Sequence, residues 1–590
     1  MDYASAAANS EDLCMWEPVA GAPPATQTPL ESFLTDLQSA ALASFGERDF
    51  DPKLYVDLPL RSALSVTRTA FEALPRLCSG KIASDTLKHF IDKFFDVPGS
   101  DLLPHVPKDF RSEPEGFLPL VKSQEARVWA LKVHALWLQL SRKVAENVQN
   151  QPDMHTLLPL PYPVIVPGSR FREVYYWDSY WIIRGLAVSK MYDTAKGIVR
   201  NLFSLVQTYG FVPNGARTYY KNRSQPPLLS AMVRVVYENT HDLDFVEEAF
   251  PVLLREHSFW QSDLHRVHIM DRKGHKHSLN RYSANWIGPR PESSTILPFL
   301  WWQDKQIADR LSKEKRSLLY HDIASAAESG WDFSSRWMQN GHDLSSMRTS
   351  SIVPVDLNAF LFQMEMNLSF FASLLKEKEH MKYFRSAAEA RRCAIEAILW
   401  SERMGQWLDY WLPYSKHSTY SRGHGKFKKF HVLDIVNQNV NVFPSNFIPL
   451  WCGVLRPGDS RIENIVKAFS SSGLLYSAGV PSSLRQTGQQ WDFPNAWAPL
   501  QHMIIEGLDW TNSKDAQIIA EVIARRWIWT NYNSFNATGE MQEKLDAQIC
   551  GKVGYGGEYK PQAGFGWSNG VVLALLQKYG WPEDPTLTCR

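Results

Sequence analysis

Apolar residues recur along most of the chain at three- and four-residue steps, the spacing of helices that bury one face. The first such run begins abruptly at Thr28, with Pro29 suited to a first helical turn and Glu31 placed to complete a capping box. Leu30, Phe33, Leu34 and Leu37 then share one face. The same spacing predicts a helix over 124–144, with Val128, Leu131, Ala135 and Leu138 as its stripe, and another over 195–209 that Gly210 can terminate. Further helices are expected over 244–264, broken at Pro251, over 316–327, and over 357–400 as a pair. Four shorter ones follow at 462–469, 499–508, 516–532 and 569–579. Strand alternation is scarce, and 158–166 is its best stretch. The polar segments 271–282 and 415–430 read as solvated loops, with His275, His277 and His424 as surface side chains instead of metal ligands. No repeat of fixed period and no long Pro/Gly/Ser linker divides the chain. The expectation is a flexible tail over 1–27 and one all-α domain over 28–590.

Composition narrows the classes. The 590 residues are 44% hydrophobic, enough for a large core. Lys and Arg number 63 against 62 Asp and Glu, so no net field favours nucleic acid or an anionic membrane. Six scattered cysteines show neither CxxC nor metal-ligand spacing, and read as free thiols or core residues. No metal and no cofactor is expected; the glycines at 564–570 lack the dinucleotide-binding spacing, and there is no Walker sequence. The first thirty residues carry Asp2, Glu11, Asp12, Pro23 and Pro24 and no continuous apolar run. That predicts neither signal peptide nor membrane anchor, hence a cytoplasmic location, with an extracellular one as the alternative; a monomer is expected. Sequons stand at Asn222, Asn367 and Asn536.

The chemistry lies between the helices. Residues 166–181 start on the turn-forming Pro167-Gly168 and then gather Arg170, Arg172, Glu173, Asp178, three tyrosines, Trp177 and Trp181. Burying Arg and Asp is unfavourable unless they are paired, and aromatics with polar tips suit a surface half apolar and half wet. Such a mixture fits a polyhydroxylated ligand, with rings for the C–H face and forked groups for hydroxyls. Similar loops carry Asn214 and Arg217, then Arg223 and Gln225, then Arg290 and Glu292. Gly330, Trp331 and Asp332 follow, then Gln490, Trp491 and Asp492, and finally Glu543 and Asp546 ahead of a glycine-rich 551–557 and Glu558. Each alone would pass as capping or ion pairing; together they suit an uncharged sugar.

Two of these loops resemble signatures of the trehalases, which split α,α-trehalose into two glucose molecules. Pro167-Gly168-Ser169-Arg170-Phe171 with Glu173, Tyr175 and Trp177-Asp178 is close to the first, Ser169 standing where most members have glycine. Gln490-Trp491-Asp492 through Pro499 is similar to the second. The resemblance covers about 160–575, and the Ser169 variant with a short N-terminus is most similar to plant members. It implies an (α/α)6 barrel and cleavage with inversion, a water being activated between two carboxyl groups. By motif, Asp332 matches the general acid and Glu543 the general base. Arg170, Arg223 and Arg290 match three active-site arginines. Phe171, Tyr175, Trp177, Asp178, Asn214, Gln225, Glu292, Gly330, Trp491 and Glu558 match sugar-contacting positions. Glycines before Glu558 would let a loop close over the substrate. Glu328, four residues before Asp332, is expected to be structural. Another inverting barrel glycosidase acting on a different disaccharide is the alternative; a catalytically dead sugar binder is disfavoured by the presence of both carboxylates. No calcium-binding pattern occurs in 1–120.

Overall fold

The capping box forms as the sequence implies: Thr28 Oγ1 accepts from the backbone of Glu31, whose carboxylate accepts from the Thr28 N–H, starting helix Pro29–Phe45. This is a computed structural model; it describes residues 25–46, 50–168, 170–293, 311–413, 418–423 and 426–582. The expected tail over 1–27 falls almost wholly outside them, as do Cys14, Ser169, His424 and Cys589.

Six helical segments close a ring. Asp178–Val188 packs on Leu229–Thr240, that on Val355–Leu374, then on Ile448–Trp451, Ala498–Trp510, Gly566–Tyr579 and back to Asp178–Val188. Their sequences are apolar on nearly every side, as helices enclosed all round must be. A second layer lies outside. Gln124–Leu140, Tyr192–Tyr209, Leu243–Trp260, Lys378–Ile398 and Lys514–Thr538 each pack on ring helices, and Ile462–Ser470 joins them through Phe469 against Phe447. These outer helices are one-sided: Lys378–Ile398 buries Phe384, Ala388, Ile395, Ile398 and the paired Arg391, and turns its other charges outward. The architecture is an (α/α)6 barrel.

The ring helices Asp178–Val188 and Gly566–Tyr579 cross at Gly185 and Gly570. A Cβ on Gly570 would lie 2.0 Å from the Trp181 carbonyl oxygen, and one on Gly185 would lie 2.5 Å from the Gly570 Cα. Neither obstacle is a flexible side-chain end. Gly570→Ala is therefore expected to destabilise by roughly 3 kcal/mol or more, read as a lowered midpoint in urea; an unchanged midpoint would refute the close crossing.

Several expectations need correction. Helix Gln124–Leu140 buries Ala126, Trp129, Ala130, Val133 and Trp137, not the stripe through Val128, which is 43% exposed. The helix is apolar on two faces, and the side with the tryptophans wins because it removes more area from water. Residues 141–144 leave the helix as a strand between Leu102–Pro104 and Val164–Ile165, the latter being all that forms of the strand expected over 158–166. Helix Leu243–Trp260 continues through Pro251. The supposed loops 271–282 and 415–430 contribute strands to a four-stranded sheet, in which Lys426–Val432 runs parallel to Arg266–Met270. His275 and His277 both bond to Asp271 there. Cys550 is disulfide-bonded, against the reading of scattered thiols; Cys78, Cys393 and Cys452 are free.

Residues 29–95 build a second, smaller core. Phe33, Leu34, Leu37, Phe71, Leu87, Phe90 and Phe95 pack together, and Tyr219 and Tyr220 of the barrel complete the cluster. A buried ionic group joins the two: Lys53 Nζ lies 2.7 Å from Asp57 and 2.8 Å from Glu173, while Arg217 Nε lies 2.6 Å from Glu173 and 3.2 Å from Asp57. Two cations and two anions thus balance without water. Among the described residues no helix is long and apolar enough to cross a membrane, and no cluster of three or more His, Cys, Asp or Glu could hold a metal ion.

Candidate active site

Five of the chemistry-rich loops enter the ring from one end, because each leads into the N-terminus of a ring helix, and the Arg290–Glu292 segment joins them at the cavity. Trp177 caps Asp178–Val188, residues 213–228 lead to Leu229–Thr240, and residues 329–354 lead to Val355–Leu374. Residues 486–497 lead to Ala498–Trp510, and 539–565 to Gly566–Tyr579. One cavity opens among them, and all fifteen residues singled out from the sequence line it.

Three supports hold the loops in place. Arg336, fully buried, forks onto Asp356 and Asp409 at 2.6 to 3.0 Å and stacks 4.8 Å from the Trp331 ring, tying the Asp332 loop to the ring helix behind it. Asp492 accepts from Ser334, the Ser335 backbone and the Ser335 hydroxyl at 2.8 to 3.0 Å, which locks the second signature to the Asp332 loop. Glu328 accepts from the backbone of Ser224 at 3.0 Å and of Ser283 at 2.7 Å, facing away from the cavity; its role is to join loops.

Asp332 and Glu543 have different surroundings. Burial pushes the Asp332 carboxyl up to about 7, with Glu558 adding to the rise and Arg290 and Arg223 opposing it. Its side chain keeps 31% of its surface open, facing the cavity, and Arg290 Nη1 lies 4.0 Å away. Glu543 is nearly inaccessible. Burial raises this carboxyl above its usual value too, and Lys544, two hydrogen-bond donors and Arg170 limit the rise without cancelling it. Tyr559 donates to Oε1 at 2.7 Å and the Gln562 N–H to Oε2 at 3.0 Å. Lys544 is itself buried, its ammonium lowered to about 8 by desolvation, and it donates to the Gly556 carbonyl at 3.0 Å. Burial raises the Asp178 carboxyl well above its usual range, and the nearby charges of Glu543 and Asp332 add to this.

The arginines form a chain along one wall. Arg223 donates to Glu292 at 2.6 Å, Glu292 lies 3.7 Å from Arg290, and Arg290 donates to Glu558 at 2.6 Å. Among the described residues, Arg223 Nε and Glu292 Oε2 are buried without a hydrogen-bond partner, so this wall keeps polar capacity for a ligand. Opposite lie rings: Trp491 stacks on Trp497 at 4.1 Å and on Trp331 at 5.3 Å, with Trp177 5.8 Å away. Gly330 adopts φ 75°, and a Cβ there would lie 2.7 Å from the Trp177 ring. Gln225 Oε1 accepts from the Trp177 N–H at 3.0 Å, and Asn214 donates to the Ala327 carbonyl at 3.1 Å. The glycine-rich loop lies against the second signature: a Cβ on Gly556 would meet the Gly488 carbonyl at 2.3 Å, and one on Gly557 would meet Gln490.

An (α/α)6 cavity with one carboxyl poised near neutrality, a second held by two donors, three arginines and a tryptophan face matches the polar and apolar demands of a sugar. A sequence profile described as Trehalase matches residues 47–580. The chain belongs to the trehalase family. A probable trehalase of Oryza sativa subsp. japonica is 51% identical, over 95% of this chain and 97% of that protein. A trehalase of Arabidopsis thaliana is 47% identical, over 95% and 88%. Among solved structures, a neutral trehalase from Saccharomyces cerevisiae superposes with a TM-score of 0.55 at 23% identity, covering 72% of this chain and 74% of that one. The family match begins well before residue 160, where the sequence motifs began. Nine further residues line the cavity, among them Lys53, Tyr220, Gln490, Trp497, Tyr559 and Trp567. Gln490 and Trp497 were already written in the second signature; Lys53 had no local signal, since only the fold brings it to the cavity.

Proposed function

We propose that the chain hydrolyses α,α-trehalose to two glucose molecules with inversion at the attacked carbon. Asp332, protonated, donates to the glycosidic oxygen as its bond to the anomeric carbon breaks. Glu543 takes a proton from a water that attacks that carbon from the opposite face. One glucose leaves as the α anomer and the attacked one emerges as β. Arg223, Arg290 and Arg170 hold hydroxyls and the tryptophans cover a C–H face.

The observation that carries this reading is the pair of carboxyls in one cavity with different partners: Asp332, pushed to about 7, keeps a proton to give, while Glu543, which burial also raises, is gripped at both oxygens by the Tyr559 hydroxyl and the Gln562 N–H. Family membership supplies the substrate. The test is proton NMR of fresh digests, in which equal initial amounts of α- and β-glucose are expected. Only α-glucose at first would mean retention, and inert trehalose would refute the substrate.

We infer that the chain acts as a monomer on a small sugar. For location, the disulfide at Cys550 favours the extracellular alternative over the cytoplasmic one, because disulfides persist in oxidising compartments. Asn222 and Asn367 are buried and Asn536 is exposed, so Asn536 is where a glycan would fit.

A further inference from the structure

We propose that Asp51, on the N-terminal segment, is a positioning residue for the reaction: it holds the Arg170 guanidinium against Tyr559 and so fixes the wall of the cavity that carries Glu543. The inference rests on the reading of Glu543 above.

The contact is a fork on a fork. Arg170 Nε donates to Asp51 Oδ2 at 2.9 Å and Nη2 to Oδ1 at 2.8 Å, the arrangement that removes most of an arginine's rotational freedom. Held so, the guanidinium carbon sits 4.5 Å from the centre of the Tyr559 ring. The hydroxyl at the far end of that ring donates to Glu543 at 2.7 Å. A second line runs in parallel: the Arg170 N–H donates to Gln562 Oε1 at 3.2 Å, and the Gln562 N–H donates to the other Glu543 oxygen at 3.0 Å. Residues 559–562 therefore clasp both oxygens of Glu543 and rest on Arg170. Asp51 is the partner that settles where Arg170 lies.

Asp51 is itself firmly placed. It is the N-cap of helix Pro52–Val56, and its Oδ1 accepts from the Lys53 N–H at 3.1 Å. The next anchor is Lys53, whose buried ammonium reaches Glu173 in the same segment as Arg170. The N-terminal core and the first signature are thus joined at two points three residues apart in the latter, one a fully buried ionic cluster through Lys53 and Glu173, the other the partly open Asp51–Arg170 pair. Across a groove, Phe50, Asp51 and Leu54 face residues 555–562.

Exposure separates a positioning role from a stabilising one. The side chains of Arg170 and Asp51 are 14% and 25% exposed, so water can reach the guanidinium once the anion is gone, which limits the cost to folding. Geometry at the reacting atoms is far less forgiving, since a displacement of about 1 Å can lower a rate on the order of 100-fold.

The experiment compares Asp51→Asn, Asp51→Glu and, as a control in the same N-terminal core, Asp96→Asn, which breaks an exposed pair with Arg61. Asparagine caps a helix as well as aspartate does, so the first variant keeps the helix start and loses only the anion. For Asp51→Asn we expect kcat on trehalose to fall about 10- to 100-fold with the melting midpoint unchanged. Asp51→Glu recovers part of the loss, and Asp96→Asn matches wild type. Wild-type kcat in Asp51→Asn overturns the inference. So does a loss that tracks a lowered midpoint and is not recovered by Asp51→Glu, because that is a structural effect. A wild-type chain inert toward trehalose overturns the functional reading and this inference with it; an active wild type beside an unaffected Asp51→Asn overturns the inference alone.

Discussion

Asp332→Asn is expected to lower kcat on trehalose by about 10³- to 10⁴-fold while raising thermal stability at neutral pH. The loss follows from the leaving group. A sugar alkoxide departs poorly without a proton, and the amide has none to give at the position where Asp332, 4.0 Å from Arg290, offers one. The rise in stability follows from linkage. In the folded chain this carboxyl holds its proton up to about 7, above the range of an unfolded aspartate. Between those two values the folded state binds more protons than the unfolded state, so stability falls as pH rises through that window. Asparagine cannot ionise and escapes the fall. The midpoint difference between variant and wild type should therefore be small at pH 4 and grow toward pH 8. For the wild type, activity should decline on the alkaline side as Asp332 loses its proton around pH 7. A substrate whose leaving group needs no proton, α-glucosyl fluoride, separates the roles: Asp332→Asn should hydrolyse it at a rate close to wild type. If fluoride and trehalose suffer equally, Asp332 is not the acid.

The sequence carried most of this site because its chemistry is written locally. Arg170, Trp177 and Asp178 fall within nine consecutive residues, and Gln490 through Pro499 hold another dense group. Such loops stand out against helices whose repeats are apolar and monotonous. What stayed hidden depends on the fold. Asp51 and Lys53 lie more than a hundred residues before Arg170, in a stretch with no motif, and only packing of the N-terminal core on Tyr219 and Tyr220 carries them to the wall. The strand Lys426–Val432 is equally silent: its polar composition suggests a loop, and its partner Arg266–Met270 is about 160 residues away. The face of Gln124–Leu140 failed for another reason. Apolar residues occupy two helical stripes there, and spacing cannot choose between them; the sizes of Trp129 and Trp137 do. Helix pairs such as Val355–Leu374 with Lys378–Ile398 were legible because a short polar break separates two long periodic runs.

Glu543→Ala should lose activity to a similar degree, about 10³- to 10⁴-fold, and should regain it with azide. In the wild type a water must lose a proton as it attacks, and only a carboxylate held ionised can take it. Burial raises the Glu543 carboxyl above its usual value, and Tyr559 and the Gln562 N–H, at 2.7 and 3.0 Å, limit that rise by donating to the charged form. Azide is already an anion and needs no base. Truncation to alanine opens space beside the attacked carbon, while Asp332 still protonates the departing glucose. The reaction then forms a carbon–nitrogen bond on the face opposite the leaving oxygen, so the product is β-glucosyl azide with one equivalent of glucose. Asp332→Ala lacks the proton donor and should not be rescued on trehalose. β-Glucosyl azide places Glu543 on the face opposite the leaving oxygen, and the α- and β-glucose released first by the wild type then separate a base from a nucleophile. An α-glucosyl azide would mean that azide intercepts a covalent glycosyl-enzyme and that Glu543 is not on the attacking face, and no azide adduct in either variant would move the base to another carboxylate of the cavity, with Asp178 the first to examine because it shares the field of both.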